Sequence, residues 1–507
     1  MELYIFIFIF SCLCLLLKPL FHLLLPPSNP ATNLPPGPSK ISLLARFFLG
    51  RKSFYELGPI ISSLRKKYGP LITVHLGSQP TLFITNSSLA HQALIQNGAV
   101  FADRPPSINN LIASNSKKII SKSPYGPIWR ALRRNLTSGV LHPAQLKSFS
   151  RVRKRVLSNL IRSLGDDSEV NKVVYVEKHF RHAIFSLLVL LCFGENVEEN
   201  QIVEIENAQM KLFKSFPRFK VFIMMPRLGK FLFKKLWKEL NEIVTGFDDC
   251  IKPLIWLRKK DLEQEISRTD QDCTFYVDTL LNLQVPGEEG KITDAEVLGL
   301  CNEFIAAGTD TTMLSLEWIM ANLVKYPTIQ ARILEEIKAV TGDEGECIKE
   351  EDLQKMPYLK AVILEGLRRH PPGYALATPH AVTEDIELGG YTVPKGTAAN
   401  FLIADMGRDP NIWDDPMEFK PERFSRNEAQ DFDVTGIREI KMMPFGAGRR
   451  ICPGYGLAML HLEYLVANLV WQFEWRPVNG EDVDLTEKYG ITISMKNPLR
   501  VLLSPRF

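Results

Sequence analysis

One cysteine, Cys452, lies in the stretch Pro444-Phe445-Gly446-Ala447-Gly448-Arg449-Arg450-Ile451-Cys452-Pro453-Gly454. Its setting constrains the chain more than any other feature. The thiol sits on a glycine-hinged loop that opens a helix. Backbone N–H groups near a helix start favour an anion, so a thiolate is expected. Gly448 and Gly454 carry no Cβ, which lets the backbone turn tightly and approach a flat ligand. Arg450 brings a fixed cation within reach of a carboxylate. Phe445 can shield the sulfur from water. Together these residues describe the fifth ligand of a haem iron, and thiolate ligation is the kind that favours O–O cleavage. A buried structural cysteine beside a glycine-rich turn is the competing reading, and three further motifs along the chain weigh against it.

The chain has 507 residues. No Ser/Gly-rich linker or long charge run divides it after the N-terminus, so one large domain, 41–507, is expected. The net charge of +4 is too small to point to nucleic acid. Eight cysteines, Cys12, Cys14, Cys192, Cys250, Cys273, Cys301, Cys347 and Cys452, are scattered singly. Without a C-x-x-C pair, zinc and thioredoxin-type sites are excluded, and the scatter suits a reducing compartment.

Residues 1–25 read as a membrane anchor. Leu3–Leu17 is almost uniformly apolar, Lys18, Pro19 and His22 interrupt it, and Leu20–Leu25 resumes it. The total matches the roughly 20 residues a bilayer requires. Lys40, Arg46, Arg51 and Lys52 follow the run while Glu2 precedes it, so positive-inside logic puts the N-terminus in the lumen and the rest in the cytosol. A cleaved signal peptide fits less well, because no cation precedes the run. Residues 26–40 form a hinge stiffened by Leu34-Pro35-Pro36-Gly37-Pro38. Between Lys211 and Lys238, seven further basic residues alternate with aromatic ones and no acid intervenes. That pattern fits a membrane-surface element or a solvated basic face over a core stripe.

Thr293-Asp294-Ala295-Glu296 has the form of a capping box, and the apolar run Val297–Val324 behind it predicts a long buried helix. Inside that run stands Ala306-Ala307-Gly308-Thr309-Asp310-Thr311-Thr312, which is poor helix chemistry. Threonine hydroxyls that bond back to earlier carbonyls can bend the helix and open space there. Asp310 and Thr311 then pair a carboxylate with a hydroxyl, an arrangement that delivers protons to a reacting oxygen.

Two more motifs look structural at first. Glu365 and Arg368 stand three apart on one helical face, and Pro421-Glu422-Arg423-Phe424 follows downstream. Trp129 and Arg133, on a helix predicted over Pro127–Leu136, share a face. Indole N–H and guanidinium are donors suited to a haem propionate.

Phe445-x-x-Gly448-x-Arg450-x-Cys452-x-Gly454 with Ala458, the acid–threonine helix, Glu365-x-x-Arg368 and Pro421-Glu422-Arg423-Phe424 resemble cytochrome P450 at each diagnostic position. The resemblance implies a mainly α fold with small β-sheets (α+β). It implies haem b, with Cys452 as axial ligand, Phe445 beside it, and Trp129, Arg133, His380 and Arg450 holding the cofactor. His380 fills a slot where many relatives carry Arg. Glu365, Arg368 and Arg423 would form a buried network behind the Cys loop. Arg130, Arg133, Arg134, Lys441 and Arg449 would face a reductase. The pocket would draw on Ser107, Ile108, Asn110 and Leu111, on Asn302, Phe304 and Ile305, on Tyr374–Ala377, and on Ile491 and Thr492.

The implied activity is insertion of one atom of O2 into a small apolar or amphiphilic metabolite. Electrons would come from NADPH through NADPH–cytochrome P450 reductase, in the endoplasmic reticulum membrane. A P450-fold isomerase or dehydratase needing no reductase, and a non-catalytic haem carrier, are the alternatives. Pro379–Asp385, Ala404–Pro410 and Met442–Phe445 look like the plant A-type group, closest to family 89, subfamily A. That family includes oxidation of linear tetrapyrroles from chlorophyll breakdown. The substrate itself is not legible.

Overall fold

The apolar run behind Thr293 becomes the longest helix in the described part of the chain. The computed structural model describes residues 33–39, 42–43, 54–76, 79–105, 118–219, 221–222, 226–263, 274–287, 290–342, 347–424, 431–478 and 480–506. Helix α1 (Leu57–Tyr68) leads into the antiparallel strands β1 (Leu71–Leu76) and β2 (Gln79–Ile84). Helices α2 (Pro127–Gly139) and α3 (Ser150–Asn171) come next, then strand β3 (Val173–Tyr175). Five helices follow: α4 (Val176–Phe193), α5 (Glu199–Ser215), α6 (Lys234–Glu263), α7 (Tyr276–Leu281) and α8 (Asp294–Lys325). After α9 (Pro327–Thr341) and α10 (Pro357–Arg369) come β4 (His380–Ala381), β5 (Ile386–Leu388), β6 (Tyr391–Val393) and β7 (Ala398–Phe401). The Cys452 loop then precedes α11 (Tyr455–Gln472), β8 (Phe473–Pro477), β9 (Glu487–Tyr489), β10 (Ile493–Met495) and β11 (Arg500–Pro505).

Strands β1-β2-β7-β4 form the largest sheet, with β2 and β7 parallel. Strand β11 lies between β3 and β8, and β5–β6 and β9–β10 are two-stranded. The expected architecture, mostly helical with small sheets, is the one observed.

Helix α8 starts where the capping box places it. Thr293 Oγ1 accepts from the Glu296 N–H at 3.3 Å, and Glu296 Oε2 accepts from the Thr293 N–H at 2.8 Å. From Thr312 to Val324 each residue is buried. This half packs against α4, α10 and α11. A helix apolar all round belongs inside a large core. Gly308 makes one of these contacts possible: a Cβ there would sit 2.8 and 3.0 Å from the Leu188 methyls on α4. The glycine, expected only as a weak helix former, therefore serves helix packing.

The proline hinge is docked rather than free. Thr73 N–H on β1 donates to the Pro36 carbonyl at 3.2 Å, and Pro35 and Pro38 are buried. Among the described residues no helix is long and apolar enough to cross a membrane; the expected anchor, 1–25, lies outside them.

Candidate active site

The Cys452 loop owes its path to a backbone contact. Gly448 has φ +71°, and a Cβ there would meet the Leu94 carbonyl oxygen at 2.1 Å. The loop was expected to need this glycine for a flat ligand; its close neighbour is instead the Leu94 backbone. Cys452 N–H donates to the Phe445 carbonyl at 2.8 Å, which closes the turn before α11. Burial pushes the Cys452 thiol above its ordinary pKa, while the Gly454 N–H and the Arg133 guanidinium pull it down. The expected thiolate is thus not supplied by the helix start alone. A coordinated metal ion would complete it, since metal binding deprotonates a thiol outright.

A corner rich in cations adjoins this loop. Trp129 is buried, and its indole Nε1 has no hydrogen-bond partner among the described residues. Arg450 lies 4.4 Å over the Trp129 ring. It donates through Nε to the Ala102 carbonyl at 2.7 Å, through Nη1 to Ile120 at 3.1 Å and through Nη2 to Ser123 at 2.8 Å. Arg104 donates through Nε to Ser121 and through Nη1 to Thr378 and Pro379. Burial, then the nearby Arg450 cation, lowers the Arg104 pKa to about 9. Burial also brings Arg450 down to about 10 and lowers Arg133. Among the described residues, the carboxylates acting on Arg104, Lys122 and Arg450 are Asp103 and Glu303, and Arg133 adds a fourth cation beside Cys452. An excess of cation together with an orphaned indole N–H fits a ligand that brings carboxylates, as haem does through its propionates.

His380 adjoins the same cation-rich corner, near Arg104 and Arg450. The ring is buried, and Nδ1 lies 2.6 Å from the Phe101 carbonyl. A carbonyl only accepts, so Nδ1 carries the proton and neutral Nε2 is an acceptor. Burial, then Arg104, drives its pKa down to about 3, which keeps the ring neutral. A carboxylate brought beside Nε2 would favour its protonation, so His380 keeps its expected place among the cofactor contacts, and Arg104 joins it as a cation the sequence reading did not name. The sequence offered one sign of it, an arginine followed by two prolines.

On α8 the buried surface opens around Glu303, Ala306, Ala307, Asp310 and Thr311, with Ala307 exposed. Thr311 Oγ1 donates to the Ala307 carbonyl at 2.8 Å. Asp310 does not turn to Thr311. Its Oδ1 makes a short bond with Arg181 Nη1 on α4, and Arg181 Nη2 also reaches Glu177 at 3.3 Å. Burial alone would lower the Arg181 pKa; Asp310 and Glu177 reverse the direction. Arg181, in the polar first turns of α4, and Glu303, an acid in a buried helix, were missed. Glu303 breaks a local apolar pattern, which is the sign that could have found it; Arg181, among Glu177, Lys178, His179 and His182, gave no such sign.

The scaffold residues meet as the motifs place them. Arg368 Nε and Nη2 donate to Glu365 Oε2 and Oε1 at 2.7 and 2.8 Å, and Arg423 Nε lies 3.3 Å from Oε1. Arg130, Arg134, Lys441 and Arg449 are exposed, while Arg133 is partly buried toward Cys452. Several expected pocket residues face elsewhere. Phe304 packs on Tyr276 with ring centroids 5.1 Å apart, Ile305 is fully buried, and Asn302 donates to Asp248 at 2.8 Å. Tyr374 donates to Asp405 at 2.8 Å, toward α1. Ser107, Ile108, Asn110 and Leu111 lie outside the described residues. The five cysteines among the described residues are free.

The sequence matches the family model described as Cytochrome P450 over residues 35–503. It is similar to Cytochrome P450 89A9 of Arabidopsis thaliana, at 48% identity over 94% of each chain. (+)-Menthofuran synthase of Mentha piperita is 31% identical over 97% of each chain. Tabersonine 16-hydroxylase 1 of Catharanthus roseus is 31% identical over 92% of this chain and 90% of its own. Among solved structures, a zebra fish cytochrome P450 with progesterone has a TM-score of 0.71 at 25% identity, covering 89% of this chain and 99% of that one.

Proposed function

The chain belongs to the cytochrome P450 family and is a monooxygenase of that family, and from that premise we propose that it oxidises a small apolar or amphiphilic plant metabolite. We propose NADPH as electron source, delivered by NADPH–cytochrome P450 reductase at the face carrying Arg130, Arg134, Lys441 and Arg449. Haem held through Cys452 would supply the activation of O2.

The chain's own residues divide the remaining work. Cys452 is the ligand, and the Phe445 carbonyl fixes its backbone. Trp129, Arg104, Arg133 and Arg450 offer donors to the propionates, whose carboxylates satisfy the orphaned indole and offset the cations. Thr311 holds a hydroxyl at the open face of α8. Asp310 stores its charge against Arg181, and exchanging that partner for water lets it pass a proton toward Thr311 Oγ1.

The observation that carries this reading is the presence of Asp310 and Thr311 where the buried helix opens. A carrier or a reductase-independent isomerase has no use for a proton relay. Anchoring of residues 1–25 in the endoplasmic reticulum membrane is part of the proposal. The surface around α6 supports a lipid contact: Phe231, Leu232 and Leu228 are 69%, 58% and 52% exposed beside Lys230, Lys234 and Lys235. Phe219 and Phe222 turn inward instead.

The test uses microsomes containing the protein and a plant reductase, fed NADPH, heavy-isotope dioxygen and a leaf-metabolite extract. Labelled product identifies monooxygenation and the substrate class. Product formed equally without NADPH would assign the chain to the isomerase or dehydratase class.

A further inference from the structure

Residues 118–123 are held from two sides. From α8, Glu303 Oε2 accepts the Ile120 N–H at 2.8 Å and Oε1 accepts the Ser121 N–H at 2.7 Å. About two turns earlier on the same helix, Glu296 Oε1 lies 2.8 Å from Lys118 Nζ. From the cation-rich corner, Arg450 takes the Ile120 and Ser123 carbonyls and Arg104 takes the Ser121 carbonyl. Ser123 closes the strap on itself, its N–H and Oγ donating to the Ile119 carbonyl at 2.9 and 2.7 Å. Ile120 and Ser121 thus give their N–H groups to Glu303 on α8 and their carbonyls to the two arginines.

We propose that Glu303 is a positioning residue that couples α8 to haem retention through this strap. Each of the two successive N–H groups has its own Glu303 carboxylate oxygen, an arrangement that a side chain with one acceptor oxygen does not reproduce. With the strap fixed, its carbonyls hold the Arg104 and Arg450 guanidiniums apart, and their remaining N–H groups stay directed for propionates. Glu303 need not touch the haem. The proposal rests on the reading that this corner receives haem propionates.

A purely electrostatic role makes the opposite prediction. Glu303 lies in range of Arg104, Arg450 and Lys122. Neutralising it leaves those cations less compensated, which favours an anionic ligand and should tighten haem. The positioning role predicts looser haem, because in Glu303→Gln one acceptor becomes an NH2 facing an N–H donor.

The experiment compares haem-loaded wild type with Glu303→Gln. Haem transfer to excess apomyoglobin is followed in the Soret band, and hydrogen exchange is read by mass spectrometry over residues 118–123. The expected result is release about tenfold faster, the scale of one lost charge-assisted bond. Exchange should rise in the strap and stay unchanged over the buried residues 312–324. Equal or slower release overturns the proposal, as does faster exchange throughout α8. If the variant does not load haem, wild type decides alone: coupling is reciprocal, so haem must slow exchange at Ile120 and Ser121. Equal exchange with and without haem overturns it. Absence of a haem–thiolate Soret band in wild type would instead overturn the functional reading beneath it.

Discussion

A buried indole N–H without a partner costs roughly 1–3 kcal/mol, so Trp129 Nε1 is a liability of the ligand-free protein. Trp129→Phe keeps an aromatic ring beside Tyr125 and under Arg450 but removes the donor. The ligand-free variant should melt no lower than wild type, while its haem affinity drops about tenfold. Equal affinity in a haem titration would remove Trp129 from the cofactor site. His370 carries a different liability. It stacks on Trp318 at 4.1 Å, and Nδ1 lies 3.5 Å from Glu487 without satisfying hydrogen-bond geometry. Burial lowers its pKa to about 3. The unfolded chain, with His at about 6.5, therefore binds the proton first. Stability from this residue is complete above pH 6.5 and is lost toward pH 3, at about 1.4 kcal/mol per pH unit. His370→Phe should thus gain on wild type as pH falls from 6.5 to 4, with no such trend above 6.5. A pH-independent difference in Tm would show that His370 does not titrate on unfolding.

Helix α8 shows what a sequence reveals about an element and what it withholds. Its start, length and burial were legible, because a capping box and a proline-free apolar run are local signals. The jobs of its faces were not. Asp310 was read as a partner of Thr311, yet it meets Arg181 on α4, and Gly308, read only as a weak helix former, meets Leu188 there. Phe304 and Ile305 were read as pocket residues and are core. Rotating a helix about its axis exchanges such roles, and only packing sets the rotation. The glycine contact is open to a double-mutant cycle. Gly308→Ala gains helix propensity but drives its Cβ into the Leu188 methyls, so it should destabilise by about 1 kcal/mol net. In a Leu188→Ala background the clash is gone, and the same substitution should become neutral or stabilising. Additive effects on Tm would mean that α4 moves freely and the close approach is not required.

At the scale of the whole molecule, one spacing has two meanings. Glu365 and Arg368 stand three apart on α10, and Asp249 and Lys252 stand three apart on α6, each pair 2.7 Å apart at its nearest atoms. On spacing alone the two are equal. The first pair is fully buried, and the second is 59% and 55% exposed. What distinguishes them comes from far along the chain. Arg368 also donates to the carbonyls of Gly407, Pro416 and Glu418, while Glu365 accepts from Lys420 N–H and Arg423. The stretch ahead of the Cys452 loop is thereby wrapped around one guanidinium, so the pair joins α10 to the approach of the ligand-bearing loop. The motif resemblance made this network legible; periodicity and composition did not. Asp249→Ala should leave Tm within about 1 °C of wild type, since exposed pairs contribute little. Glu365→Ala leaves Arg368 buried and unpaired, at a cost of about 3–5 kcal/mol. That is a large part of the roughly 5–15 kcal/mol that holds a domain folded. The variant should accumulate as protein with little haem, seen as a low Soret-to-protein absorbance ratio. Replacing Glu365 by Gln should recover part of that ratio, because one acceptor for Arg368 survives. Full haem loading of Glu365→Ala would show that the Cys452 loop finds its place without the network.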